Sequence, residues 1–406
     1  MRNLFLLILL FLFDLFAFQA LAQVAAFWPD VLRNFSYLLY WSIPVGAVAL
    51  SFVLLRNGRE ALRSKGIADA RSVVFIAYFA KFLIAVLLLL EDVFRLLVQL
   101  VAWLGLLDWS MPNRTLWVSQ LALLLGGLLF GLMTHGILRN KYRYKVFRER
   151  ISIPGLPNKL KGLRIVQISD IHSGSFTDPE KVSEGVALVN AQKPDLVFFT
   201  GDLVNSMARE MQDYISVFKN IKARYGVYSI LGNHDYGDYV RWPSPEAKQQ
   251  NFQDLLNVHQ RMGWDLMLNE NRLLEIEGEQ VAVIGVENYS ASARFHTYGD
   301  LLKAYKGAER AVLKLLLSHD PSHWEDQVVK DFPDIDITFS GHTHGMQFGI
   351  EIPGWIKWSP AKYVYKQWGG LYQRKRQYLY VNRGFGFLGY PGRVGILPEV
   401  TVVEIV

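Results

Sequence analysis

The 406-residue sequence predicts an all-α membrane domain followed by an α/β domain, and three features carry that prediction. Four long apolar stretches lie before Arg139. Beyond it, five short β-branched runs each lead directly into Asp, Asn or His. Cysteine is absent throughout, which excludes disulfides and thiolate metal sites but chooses no compartment.

The apolar stretches cover residues 3–23, 35–55, 73–100 and 115–138. Each is long enough to cross a bilayer core, which needs ~20 residues as a helix. Residues 1–138 therefore read as a four-helix transmembrane domain, and 139–162 as a basic juxtamembrane linker. Arg56, Arg59, Arg63, Lys65 and Arg71 lie between the second and third stretches. Arg139, Lys141, Arg143, Lys145, Arg148 and Arg150 follow the fourth, whereas the other two connections carry only Arg33 and Arg114. By the positive-inside rule both basic segments are cytoplasmic. The chain is thus expected in the cytoplasmic (inner) membrane, with residues 163–406 on the cytoplasmic side.

Arg2, an apolar core and Ala20-Leu21-Ala22 before Gln23 resemble a secretory signal, but Asp14 inside the core argues for a retained helix. The other three helices would keep both basic segments inside in either case. Charged residues within the spans, Asp14, Lys81, Glu91, Asp92 and Arg95, are costly in lipid and need a partner or an exit. Glu91 and Arg95 stand at i, i+4 spacing. The third span is expected to end near Leu90, with Glu91 to Arg95 starting an interfacial turn.

The β-branched runs are Leu163–Ile168, Leu196–Phe199, Val227–Leu231, Leu313–Leu317 and Ile335–Phe339, and they read as buried strands. They lead into Asp170-Ile171-His172, Gly201-Asp202, Gly232-Asn233-His234-Asp235, His319 and Gly341-His342-Thr343-His344. Ligands of open α/β sheets bind outside the carboxyl ends of the strands, so these side chains are expected to share one crevice. Two carboxylates (Asp170, Asp202), one amide (Asn233) and four imidazoles (His172, His319, His342, His344) favour Mn, Fe or Zn. Seven ligands are too many for one ion; they suit two, with Asp202 as the bridge.

The five blocks, in this order, resemble the calcineurin-like metallophosphoesterase superfamily over residues 163–406. The resemblance implies an αββα fold, a two-sheet β sandwich flanked by helices. It makes Asp170, His172, Asp202 and His344 ligands of a first metal, and Asp202, Asn233, His319 and His342 ligands of a second. His234 would lie over the scissile phosphate as proton donor, oriented by Asp235, and a metal-activated hydroxide would attack phosphorus in line. The runs 341–347, 380–386 and 393–399 resemble the bacterial membrane-associated branch, of the phosphodiesterase and UDP-2,3-diacylglucosamine pyrophosphatase types. Met346 stands where that branch more usually has glycine. Arg383 is a candidate phosphate contact or, equally, a surface salt-bridge residue. His135, His259, His296 and His323 fall outside the blocks and read as structural.

Phe348, Trp355, Trp358, Tyr363, Tyr365, Trp368 and Tyr372 are interleaved with Lys357, Lys362 and Lys366 immediately after the last ligand block. Trp, Tyr and Lys favour the membrane–water interface, so this segment is expected either to dip toward the bilayer or to pack on the sandwich. Ser244–Met262 reads as one helix with Ser244 as N-cap and Pro245 in its first turn, followed by a strand at Val281–Val286. The expected activity is hydrolysis of a phosphodiester or pyrophosphate bond, with membrane lipids as partners and a lipid-linked substrate. The alternatives are a protein phosphatase, a cyclic-nucleotide phosphodiesterase, or a metal-binding scaffold or sensor without turnover. The net charge of +6 does not indicate nucleic acid, because the basic excess sits beside the apolar stretches.

Overall fold

The computed structural model describes residues 2–57, 65–106, 114–352 and 354–406, which divide into two compact units between His135 and Gly136. Arg59 and Arg63 of the first basic segment lie outside the described residues.

Leucine-rich sequence forms four helices in the first unit: α1 (Arg2–Ala25), α2 (Asp30–Asn57), α3 (Lys65–Trp103) and α4 (Leu116–His135). All four are long and apolar enough to cross a membrane, where a helix satisfies its own backbone groups. Large apolar side chains such as Val31, Leu38, Leu55 and Phe82 point outward, as a lipid solvent requires. Small residues make the close contacts inside: Ala17, Ala20, Ala85 and Ala122 are buried with Ile84 and Leu88.

The third helix does not end near Leu90. It continues to Trp103 because its charges are paired where they stand. Arg114 reaches Asp92 at 2.6 Å and the Leu88 carbonyl at 3.2 Å, and Glu91 accepts the Thr115 amide at 2.6 Å. Arg95 pairs with Asp92 at 3.2 Å rather than with Glu91.

In the second unit the chain runs β1 (Lys145–Ile151), β2 (Arg164–Ile168), α5 (Pro179–Ala191), β3 (Leu196–Phe199), α6 (Ile215–Phe218), β4 (Val227–Ser229), α7 (Pro245–Met262), β5 (Asp265–Leu266), β6 (Glu270–Ile276) and β7 (Glu279–Gly285). It continues α8 (Leu301–Tyr305), β8 (Leu313–Leu317), α9 (Val329–Asp331), β9 (Ile337–Ser340), β10 (Ile350–Ile352), β11 (Ile356–Trp358), β12 (Gly370–Arg374), β13 (Gln377–Val381) and β14 (Glu399–Ile405). One mixed sheet has the order β1-β14-β2-β3-β4-β5 and the other β12-β13-β9-β8-β7-β6. Their facing sides, including Ile165, Phe198, Val283, Leu315, Phe339 and Tyr380, form the central core. Helices α5, α6 and α7 cover the outer face of the first sheet, while α8 and the 324–331 segment cover that of the second. The architecture is the expected two-sheet sandwich flanked by helices.

The stretch expected as a linker is partly sheet. Lys145 to Ile151 pair in parallel with Glu399 to Ile405, so 145–151 is an edge strand of the first sheet. Lys145, Arg148 and Arg150 lie along it, which gives it the look of a juxtamembrane segment. Helix α7 forms as its signals predict, with Ser244 accepting the Ala247 amide.

Candidate metal centre

Strands β2, β3, β4, β8 and β9 are parallel to their sequence-ordered neighbours, so their carboxyl ends open on the same side. The loops that follow bring all seven proposed ligands together. Asp170, His172, Asp202, Asn233, His319 and His344 are buried, and His342 is half-buried.

Close approach of the loops depends on two glycines. A Cβ at Gly232 would lie 2.3 Å from Asp202 Oδ1, and one at Gly341 would lie 2.3 Å from Asp170 Oδ2. The candidate ligands themselves carry strain: Asp170, His172, Asp202, His342 and His344 all have positive φ, between 48° and 71°. Non-glycine residues rarely adopt this conformation, and it concentrates where a site requires it. Met346 shares it, at φ 48°, with 44% of its surface exposed.

Ligand atoms around one cation at bond lengths of ~2.0–2.2 Å are roughly 3.0–3.4 Å apart, and two sets here have that spacing. In the first, His172 Nε2 is 3.0 Å from His344 Nε2 and 3.4 Å from Asp202 Oδ2, and His344 Nε2 is 3.3 Å from Asp170 Oδ1. In the second, His319 Nε2 is 3.3 Å from Asp202 Oδ2 and 3.2 Å from both Asn233 Oδ1 and His342 Nδ1, and the last two are 2.9 Å apart. The same oxygen, Asp202 Oδ2, belongs to both sets. Acceptor atoms crowded in this way, buried and facing one another, fit divalent cations.

Electrostatics are consistent with such a site. Burial pushes Asp170 up to about 6 and His172 down to about 3, and holds His344 well below the usual imidazole range. For Asp202 and His319 burial opposes both charges, but their mutual attraction wins. Asp202 stays well below the carboxylate range and His319 rises to about 10. His319 Nδ1 donates to the Thr200 carbonyl at 2.7 Å, which aims Nε2 into the site.

His234 lies at the edge of the cluster, with its ring 4.9 Å from that of His172 and its amide donating to Asp202 Oδ1 at 2.8 Å. Its Nδ1 faces the Asn205 carbonyl at 2.7 Å. Asp235, expected to orient it, does something else. Its carboxylate accepts the amides of Asp202, Leu203 and Gly232 at 2.8–2.9 Å and so ties the second and third ligand loops together. It is fully buried, and burial pushes it up to about 7.

Several supporting residues were not evident from sequence. Tyr365 places its hydroxyl 2.7 Å from His342 Nε2, and Asp320 Oδ2 lies 3.6 Å from the same atom. The Tyr239 ring lies tilted against that of His234, with centroids 4.3 Å apart, and its hydroxyl accepts from Asn233 Nδ2. Asp320, directly after His319, was the readable signal. Arg393 is completely buried and donates to the carbonyls of Arg383, Gly384 and Gly386, with Nη2 3.5 Å from His344 Nδ1. Arg383 is a salt-bridge residue, but a buried one rather than a surface one. It is 2% exposed and pairs with Glu399 at 2.7 Å and Glu351 at 2.5 Å. His259 and His323 are buried against Ser229 and Ser318, apart from the ligand atoms.

Residues 163–346 match the family model described as calcineurin-like phosphoesterase, and residues 1–141 match that described as probable calcineurin-like phosphoesterase, transmembrane domain. A "transmembrane protein with metallophosphoesterase domain" of Danio rerio is 30% identical over 277 residues, 66% of this chain and 59% of the relative. The "uncharacterized metallophosphoesterase YkuE" of Bacillus subtilis is 30% identical over 251 residues, 61% of this chain and 80% of the relative. Among solved structures, a metallophosphoesterase from Sphaerobacter thermophilus is 16% identical with a TM-score of 0.24, covering 57% of this chain and 77% of that one. The chain thus spans about three-fifths of the Danio rerio relative's length.

Proposed function

The chain belongs to the calcineurin-like metallophosphoesterase family, and on that footing we propose that it is a membrane-anchored hydrolase of a phosphodiester or pyrophosphate bond, working with two divalent ions. The observation that carries this reading is Asp202 Oδ2, placed 3.4 Å from His172 Nε2 and 3.3 Å from His319 Nε2, at the junction of two groups of candidate ligands.

Asp170, His172, Asp202 and His344 would hold one ion, and Asp202, Asn233, His319 and His342 the other. Mn, Fe or Zn suit this mixture of nitrogen and oxygen donors. When bound, such ions lower the pKa of water and neutralise charge on phosphoryl oxygens. The residues supply the remainder. His234 is fixed at Nδ1 by the Asn205 carbonyl, which leaves Nε2, in the protonated ring, to give its proton to the leaving oxygen. Asp235 acts through the backbone, keeping Asp202 and the Gly232 turn in register. The substrate is proposed to be lipid-linked, because the same chain carries four membrane-length apolar helices. The basic residues on either side of α3 and α4 support a cytoplasmic catalytic unit.

The test is hydrolysis of a chromogenic phosphodiester and of a nucleotide-linked glycolipid by the purified protein in detergent, with Mn²⁺ and with chelator. Chelation should abolish turnover of both. His234→Ala should lower kcat by about 10²–10⁴-fold while the protein keeps its bound metal. Turnover that is indifferent to chelator would overturn the reading.

A further inference from the structure

The segment between the last metal-ligand loop and β12 sorts its side chains in an unusual way. Strands β10 and β11 form a separate two-stranded hairpin in which Ile350 pairs with Trp358 and Ile352 with Ile356. Residues two apart share a face, so these four form one apolar face. The cross-strand pair between them, Glu351 and Lys357, is polar, and its charges are committed to the domain. Glu351 binds Arg383, and Lys357 donates to the Gly369 carbonyl while lying over the Trp368 and Tyr372 rings.

The apolar face is open. Ile350 is 50% exposed, Ile352 42%, and Trp355 in the connecting turn 77%. A second turn, Pro360–Tyr363, continues the pattern, with Tyr363 74% and Val364 58% exposed between Lys362 and Lys366. Of the seven aromatics in this segment, Trp368 is buried and Phe348, Trp358, Tyr365 and Tyr372 are partly covered. Trp355 and Tyr363 remain outside, joined by isoleucines and a valine. A soluble hairpin ordinarily turns its polar side chains outward; this one turns apolar ones outward and sets cations at its rim.

We propose that this face, formed by Ile350, Ile352, Trp355, Tyr363 and Val364, docks on an anionic phospholipid surface. Tryptophan and tyrosine settle at the headgroup level, and lysines beside them meet lipid phosphates. The tether makes a bilayer the partner at hand, since only nine residues separate the end of α4 from the start of β1. The docking face also adjoins the chemistry. Val364 is exposed, and the next residue, Tyr365, turns inward to the metal-ligand candidate His342. A lipid phosphate held at the rim would therefore be presented to the metal centre. The inference builds on the proposed lipid-linked substrate and names the surface that would deliver it.

The chain has no cysteine, so single cysteines can be introduced cleanly. Trp355→Cys, Tyr363→Cys and, as a control on an exposed lysine far along the chain, Lys222→Cys would be spin-labelled in the full-length protein. Each would be reconstituted in nanodiscs containing phosphatidylglycerol, and oxygen and nickel-chelate accessibility compared. Labels at 355 and 363 should favour oxygen several-fold over the label at 222. Adding Lys362→Glu and Lys366→Glu should weaken that preference. Water-like ratios at all three positions would overturn the proposal. So would shielding that appears only with two proteins per disc, because the occupant would then be a second copy. Accessibility needs no turnover, so failure of docking and failure of the hydrolase reading are distinguishable.

Discussion

Asp14 in the helical unit and Asp202 in the C-terminal unit are both almost fully enclosed, but their surroundings differ in kind. Asp14 has every partner it needs within the protein: Lys81 at 2.6 Å, the Tyr78 hydroxyl at 2.9 Å, and a Tyr40 hydroxyl on its carbonyl at 2.7 Å. Its charge is cancelled by one lysine, which also lies over the Tyr40 ring. Asp202 sits among another carboxylate, an amide oxygen and four imidazoles whose acceptor atoms face inward. An ion pair with His319 at 3.3 Å offsets its charge and leaves the other acceptors opposed. A buried charge cluster that cancels itself is architecture, and one that converges acceptors without cancelling is a place for cations.

The largest effect that would break this contrast is at the shared oxygen. Asp202→Asn keeps the shape but removes the anionic bridge, so it should lower both metal content and turnover. Metal stabilisation of the transition state is worth several kcal/mol, so the loss should be about 10³-fold or more. Elemental analysis beside kinetics provides the measurement. A variant that retained two ions and ordinary turnover would show that the convergence at Asp202 is not a ligand arrangement.

Removing one member of the other cluster should instead cost stability. Lys81→Met leaves Asp14 buried without its counter-charge, at a cost of about 3–5 kcal/mol, read as a lower unfolding temperature in detergent. Replacing both, with Asp14→Leu added, should recover most of that loss. Failure of the double variant to recover would mean that the cluster does more than cancel its own charge.

The difference also explains what could be read in advance. The candidate ligands announce themselves because each follows a β-branched strand run, and strand ends converge by the geometry of the sheet. The positions of Asp170, His172, Asp202, Asn233, His319, His342 and His344 were therefore legible one block at a time. The supports were not. Asp235 clamps amides from two loops, and its neighbour His234 looks instead to Asn205, because which way a side chain leaves a turn depends on φ and ψ rather than on adjacency. Arg383 and Arg393 are buried by contacts many residues away. Strand β1 was hidden by its three basic residues, Lys145, Arg148 and Arg150, and the continuation of α3 past Leu90 by a partner, Arg114, that lies in the connection before α4.

A third kind of buried ionisable group sharpens the comparison, namely one with neither a counter-charge nor a cation. His259 on α7 is fully buried, hydrogen-bonded at Nδ1 to Ser229 at 3.0 Å, and burial alone pushes it down to about 3. His319 is equally buried yet raised to about 10, because Asp202 stands opposite. His259 is thus neutral in the folded chain, whereas in the unfolded chain it takes up a proton near ~6.5. Its contribution to stability is complete above that pH and is lost as pH falls toward 3, by about 1.4 kcal/mol per unit. His259→Asn removes the titration while its amide can still meet Ser229. The difference in unfolding temperature between parent and variant should therefore be constant above pH 7 and shift in the variant's favour below pH 6. An unchanged difference down to pH 4 would place the proton uptake elsewhere. In that event a buried histidine could not be told from a candidate ligand by the charge that faces it.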